Sequence, residues 1–299
     1  MQGTIDGFSY GMVTPVAAFL MACLGAALGL RCTTRSLRTE RSFKAGWLAL
    51  GATSIGSGIW TMHFVAMMGF SVEGVVIDYD KPITFASLAV AIGMVAIGIF
   101  IVGYRGATRM ALVTGGTITG LGVATMHYLG MAGMRLPGQF EYDTVTVTLS
   151  VVIAVVAATT ALWAAVSIHG FLPSLGASAV MGVAVSGMHY TGMAALSVHL
   201  HPGALVGAGS DDGPTAPLVP LMIGPGCFLL LAAVVVMFDP LMVMGTPDWD
   251  DPKALNGAGR RPGIPAPRPV PRQVPRFGTH ADPASFHSRP RDPAPPGEW

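Results

Sequence analysis

Residues 177–196 read ASAVMGVAVSGMHYTGMAAL, an apolar run interrupted by a single histidine, His189, with Met188 before it and Met193 four residues after it. An ionisable side chain in such a run is costly in a membrane and normally faces the interior of a helix bundle. The interruption occurs twice more, as MHYLGM at 126–131 and MHFVAM at 62–67. Aligned on His63, His127 and His189, the copies share a glycine at minus seven (Gly56, Gly120, Gly182) and a methionine at minus one (Met62, Met126, Met188). They also share an aromatic at plus one (Phe64, Tyr128, Tyr190) and a small residue at plus three (Ala66, Gly130, Gly192). A methionine follows at plus four (Met67, Met131, Met193) and a small residue at plus six (Gly69, Gly133, Ala195). Self-similarity at a fixed period signals a repeat architecture.

The rest of the chain says what kind of repeat. Hydrophobic residues make up 52% and charged residues 11% of 299, against about 25% charged in soluble domains. Seven apolar segments can be marked, at about 10–30, 45–70, 83–102, 110–134, 145–168, 172–198 and 218–238. Each is long enough for one crossing of roughly 30 Å of hydrocarbon. Backbone polar groups in lipid must pair internally, so these segments are expected to be helices. The fold expected is an all-α, polytopic membrane protein of seven helices, one helix followed by three two-helix repeats. It should occupy 1–241. Residues 242–299, rich in Pro and Arg, cannot bury a core and are expected to form a disordered cytoplasmic tail. No basic n-region precedes the first segment, which argues against a cleaved signal peptide.

Basic residues set the expected orientation. Arg31, Arg35, Arg38, Arg41 and Lys44 follow the first segment, and Arg105 and Arg109 follow the third. The opposite side has Lys81 and Arg135, with Glu73, Asp78, Asp80, Glu141, Asp143, Asp211 and Asp212 among its acids. The positive-inside rule then places the N-terminus outside and the C-terminus in the cytoplasm. The three motifs fall near the outer ends of helices running the same way. No basic stripe suits nucleic acid, and no Ser/His/Asp or paired-carboxylate constellation suits hydrolysis, so the chain is not expected to be an enzyme. Cys23, Cys32 and Cys227 lack the spacing of a disulfide scaffold or a c-type haem site.

On a helix, residues four and seven apart share a face. Gly, His and Met of each copy therefore form one stripe. The glycines are expected to let a neighbouring helix approach closely. One membrane histidine alone reads as a hydrogen bond between helices; three, each with a methionine on its stripe, favour a metal or cofactor site. Imidazole with thioether suits copper, Cu(I) in particular. The expected ligands are His63, Met67, His127, Met131, His189 and Met193, with Met62, Met126, Met188 and Met134 as further candidates. Haem held between two histidines and a copper or cation transporter remain alternatives. The first leaves the methionines idle. The second wants polar groups continuing inward, where the helices offer only scattered Ser and Thr.

The tripled motif resembles the MHYT domain family, whose name the third copy spells at 188–191. The resemblance covers about residues 8–240. It implies a seven-helix sensor domain of the bacterial inner membrane that detects oxygen, carbon monoxide or nitric oxide, or redox state, through copper bound by the motif His and Met. Phe64 in the first copy shows that a tyrosine hydroxyl is not general to the site. Many family members continue into cyclic-dinucleotide synthesis or hydrolysis domains. The Pro/Arg tail in that position implies signalling through a separate partner. His199 and His201 are expected in a solvated loop.

Overall fold

The computed structural model describes residues 5–6, 9–37, 39, 41–72, 75, 77–168, 170–200 and 218–239. His201 and the tail expected at 242–299 lie outside them. Seven long helices account for most of the described chain: α1 (Val13–Leu37), α2 (Arg41–Met67), α3 (Lys81–Arg105), α4 (Arg109–Ala132), α5 (Thr144–Ser167), α6 (Phe171–Ala194) and α7 (Val219–Met237). At 27 residues, α2 is roughly 40 Å long, more than the bilayer core requires. The protein is an all-α polytopic membrane protein, as its apolar segments indicated. α1, α3, α5 and α7 are long and apolar enough to span on composition alone.

Helix starts are set by local chemistry. Asp80 accepts the Ile83 N–H, Asp143 the Thr146 N–H and Thr108 the Ala111 N–H, each satisfying a donor that the first helical turn leaves open. Six helices close into a ring in chain order, with α6 returning to pack on α1, while α7 packs outside against α1 and α2. α2, α4 and α6 touch one another, as do α1, α3 and α5; the first three are the inner helices at the histidine end, where their side chains meet. The minus-seven glycines sit where these inner helices meet outer ones. A Cβ on Gly56 would stand 2.8 Å from the Ile92 backbone of α3, one on Gly120 would collide with the Val155 backbone of α5, and one on Gly182 would meet Cys23 and Phe19 of α1. In space, then, α1 takes the outer place beside α6, and α7 is the helix left over.

Short strands cap the end of the bundle where α2, α4 and α6 finish. β1 (Ile5–Asp6) pairs with β2 (Ser71–Val72), β3 (Asp78–Tyr79) with β4 (Met134–Arg135) and β5 (Gly138–Tyr142) with β6 (Leu196–Leu200), all antiparallel. Each pair joins the chain entering an odd helix to the chain leaving the next even one. A backbone bond repeats alongside: Ser9 N–H to Gly69 O at 3.0 Å, Asp80 N–H to Gly133 O at 2.8 Å and Asp143 N–H to Ala195 O at 2.9 Å. The plus-six residues are thus the exits of α2, α4 and α6, each tied to the entry of the helix before it.

These strands differ from the expected loops. The apolar run read as helix to residue 198 ends at Ala194, because Leu196, Val198 and Leu200 alternate with Ser197 and His199 and present one buried face. His199 accordingly lies in β6, with Nε2 3.2 Å from Glu141 Oε2. At the opposite end, α1 continues as a helix through its basic residues to Leu37, and Arg35 Nε lies 2.6 Å from Asp239 Oδ2 just past α7.

Candidate metal centre

His63, His127 and His189 lie in the last turns of α2, α4 and α6, each about 1% exposed. Their Nδ1 atoms form a triangle: His63 to His189 3.0 Å, His63 to His127 3.1 Å and His127 to His189 3.3 Å. The rings stand nearly perpendicular to one another, at 78° to 88°. Among the described residues these three form the one group of three His, Cys, Asp or Glu side chains able to share a metal ion, and no carboxylate joins it.

A neutral imidazole nitrogen is either an N–H or a lone pair. Around three mutually adjacent nitrogens, no placement of protons satisfies every edge: at least one edge sets two lone pairs or two N–H groups against each other. A cation at the centre satisfies all three at once. A triangle with edges of about 3.1 Å has its centre about 1.8 Å from each corner, close to the roughly 2.0 Å of a metal–imidazole bond. The donor set thus fits a metal ion.

With Nδ1 turned inward, the other nitrogen of each ring points away. Nε2 of His63 and of His127 are buried with no hydrogen-bond partner among the described residues. Metal-binding histidines normally have this nitrogen held by a carboxylate or carbonyl. Here packing holds the rings instead. A Cβ on Gly130 would stand 2.6 Å from His63 Nε2, and one on Gly192 2.5 Å from His127 Nε2. The plus-three glycine of one copy is therefore the seat for the histidine of the copy before it. Each histidine also meets the aromatic that follows it edge to face, Phe64, Tyr128 or Tyr190, with centroids 4.6 to 5.0 Å apart. Phe64 is held by Trp60, whose Nε1 donates to Ser87 Oγ and Thr84 O, and the Tyr128 hydroxyl lies 2.6 Å from Ser150 Oγ.

The methionines of the three motifs are mostly buried. Met62, Met126 and Met188, each next to a motif histidine in sequence, are buried, Met67 and Met131 are buried one turn further along, Met193 is half-buried at the same position of its motif, and Met134 is buried in β4. Side chains on a helix lean toward its N-terminus, so the plus-four methionines lean back toward the histidine level. On the capping strands, Asp80 is held below the usual carboxylate range by the Arg135 guanidinium and the Ile83 N–H. Asp143 is lowered likewise by the hydroxyl and N–H of Thr146.

The family described as "Bacterial signalling protein N terminal repeat", MHYT, matches residues 56–115 and 120–178. The chain belongs to the MHYT family. Both matched MHYT units open on a minus-seven glycine, and Gly182 opens the third copy beyond them. The chain is 37% identical over 219 residues to the bifunctional diguanylate cyclase/cyclic di-GMP phosphodiesterase MucR of Pseudomonas aeruginosa, a match covering 71% of this chain and 32% of MucR. It is 34% identical over 213 residues to the cyclic di-GMP phosphodiesterase NbdA of the same species, covering 68% and 27%. The signaling protein YkoW of Bacillus subtilis is 30% identical over 200 residues, covering 64% and 24%. The chain thus spans a third or less of these MHYT relatives. No solved structure matches it.

Sequence reasoning missed Gly130 and Gly192 as ring seats and noted them only as small. The signal was their recurrence at plus three. Its meaning was hidden because each glycine serves a histidine on a different helix.

Proposed function

We propose that this MHYT domain is a non-catalytic membrane sensor whose three histidines hold one copper ion that binds a diatomic gas, oxygen, carbon monoxide or nitric oxide, or responds to redox state. The observation carrying this reading is the Nδ1 triangle, with no edge longer than 3.3 Å. Three neutral imidazoles in a site without a carboxylate suit a monovalent ion better than a divalent one, because the cost of burying charge rises with its square. Cu(I) accepts both imidazole and thioether. Met67, Met131 and Met193 are the candidate thioethers, with Met62, Met126, Met188 and Met134 behind them. His63, His127 and His189 would bind and orient the ion, Gly130 and Gly192 would fix two of the rings, and the apolar surroundings would exclude water. Copper would supply a coordination position open to a small ligand. Haem suits the geometry less well, since three ring nitrogens this close leave no slot for a macrocycle between any two.

The orientation follows the basic residues, with the N-terminus and the histidine end outside and Arg35 at the cytoplasmic end. The partner is a cyclic-dinucleotide enzyme, on the same or another polypeptide, by analogy with the activities for which MucR and NbdA are named. The test is metal analysis and optical spectroscopy of the purified, reduced protein. The expected result is one copper per chain and a spectrum that changes with carbon monoxide or nitric oxide. A haem absorption band, or no metal after loading with Cu(I), would sink the copper reading.

A further inference from the structure

The histidine ring has a space beneath it. A partly enclosed cavity of about 50 Å³ is lined by residues of α2, α3, α4, α5 and α6. Among its walls are Ile59, Val123 and Val185, each four residues before a motif histidine, and Ile55, Thr119 and Met181, each eight before. Residues four apart on a helix are stacked about 6 Å apart along its axis. The cavity therefore lies under the triangle, one to two turns down the same stripes, and Met188, next to His189, also faces it. The outer wall is α5, which presents mostly alanine there, and small side chains on that helix leave the space open. A cavity this apolar stays dry, yet its volume exceeds what one water-sized molecule needs.

A second void opens from the outside. A crevice of about 570 Å³ runs between α5 and α6, with Val152, Val156, Trp163 and Val180 on its exposed rim. Ala157, Ala161 and Met181 line both the crevice and the inner cavity. Among the described residues, the walls common to the two voids are two alanines, four apart on α5, and one flexible methionine on α6.

We infer that the crevice between α5 and α6 is a portal from the bilayer, and the cavity a waiting chamber, through which an apolar molecule of diatomic size reaches the histidine ring from below. Such molecules dissolve better in hydrocarbon than in water, so a lipid-side entrance meets them at their higher concentration. Met181 is the gate, because an unbranched side chain with three rotatable bonds can swing where a branched one could not. The inference rests on the reading of the ring as a ligand-binding metal centre. The chamber itself can be tested without any metal.

The first measurement uses the metal-free full chain in detergent, with methyl-labelled methionine and xenon under pressure. The Met181 and Met188 methyl signals should shift as xenon fills the chamber, and the double substitution Ala157→Phe/Ala161→Phe should abolish the Met188 shift. Shifts confined to exposed methionines such as Met12 and Met237 would overturn the proposal. The second measurement uses copper-loaded protein and rapid mixing with nitric oxide. The double substitution should slow association about tenfold with the final spectrum unchanged, and Met181→Ala should speed it. Unchanged rates in both variants would overturn the portal. If the phenylalanines prevent folding, Met181→Ala and the xenon shifts of the unmodified chain still decide. Failure to load copper would defeat the metal reading and leave the xenon result standing.

Discussion

The inner and outer helices of this protein differ in what they bury. α1, α3, α5 and α7 are long and apolar enough to be recognised as membrane spans from composition, whereas α2, α4 and α6 each carry a histidine in their apolar run. The outer helices turn large apolar side chains such as Leu20, Ile97, Val156 and Leu231 outward. The inner α2 is wrapped by α1, α3 and α7, and it buries Ser54, Ser57, Thr61 and His63. A helix shielded from lipid need not be lipid-like, since its polar groups see other helices rather than hydrocarbon. α4 and α6 still turn side chains such as Val113, Leu121, Val180 and Val183 outward, so the candidate site is shielded at the buried ends of the three helices and not along their whole length.

The largest expected effect comes from removing an inner ligand. His63→Ala, His127→Ala or His189→Ala should each abolish copper retention, measured as metal per protein after dialysis, because two imidazoles cannot close the triangle. Normal metal content in all three would return the histidines to the role of hydrogen-bonded packing. Next come the ring seats. Gly130→Ala and Gly192→Ala should weaken Cu(I) binding about 10- to 100-fold in a competition titration, the range seen when groups that orient a ligand are lost. Gly93→Ala in α3 and Gly224→Ala in α7, where an added Cβ meets nothing within 4 Å, should leave affinity unchanged. Equal losses at inner and outer glycines would erase the contrast drawn here.

Smaller again is Met67→Leu with Met131→Leu and Met193→Leu, which keeps apolar volume nearly constant. It should lower Cu(I) affinity while the helical circular dichroism stays the same, and an unchanged affinity would strike the thioethers from the site. The smallest effect belongs to the capping strands. Asp80→Asn should lower the unfolding temperature slightly at pH 7. The folded-state carboxyl is held below its ordinary value by Arg135, so its contribution is present above about pH 4 and is lost as pH falls through the lowered range. The difference between Asp80→Asn and the unmodified protein should therefore vanish in acid, and a difference that persists there would mean that charge is not the cause.

Hydropathy made all seven helices legible in the sequence, and repetition singled out the three that carry the candidate site. His63, His127 and His189 stood out because the same costly residue recurs with the same neighbours. Their meeting through Nδ1, rather than Nε2, was not legible, since ring orientation depends on side chains from other helices. The exit of α6 was misread because Leu196, Val198 and Leu200 extend an apolar run, and their alternation with Ser197 and His199 is too short to outweigh it. The pairing of α6 with α1 was hidden for a simpler reason: nothing local in α1 records which distant helix it will meet.

The triangle of nitrogens has a consequence that is a matter of parity. Two facing imidazoles can share one proton, donor to acceptor, and rest. Four in a ring could alternate donor and acceptor all the way round. Three cannot, because an odd cycle admits no alternation, and the disagreement left on one edge is removed only by something other than a proton. Counting helix pairs to three, with no change in the side chain used, is what turns a packing residue into a candidate ligand.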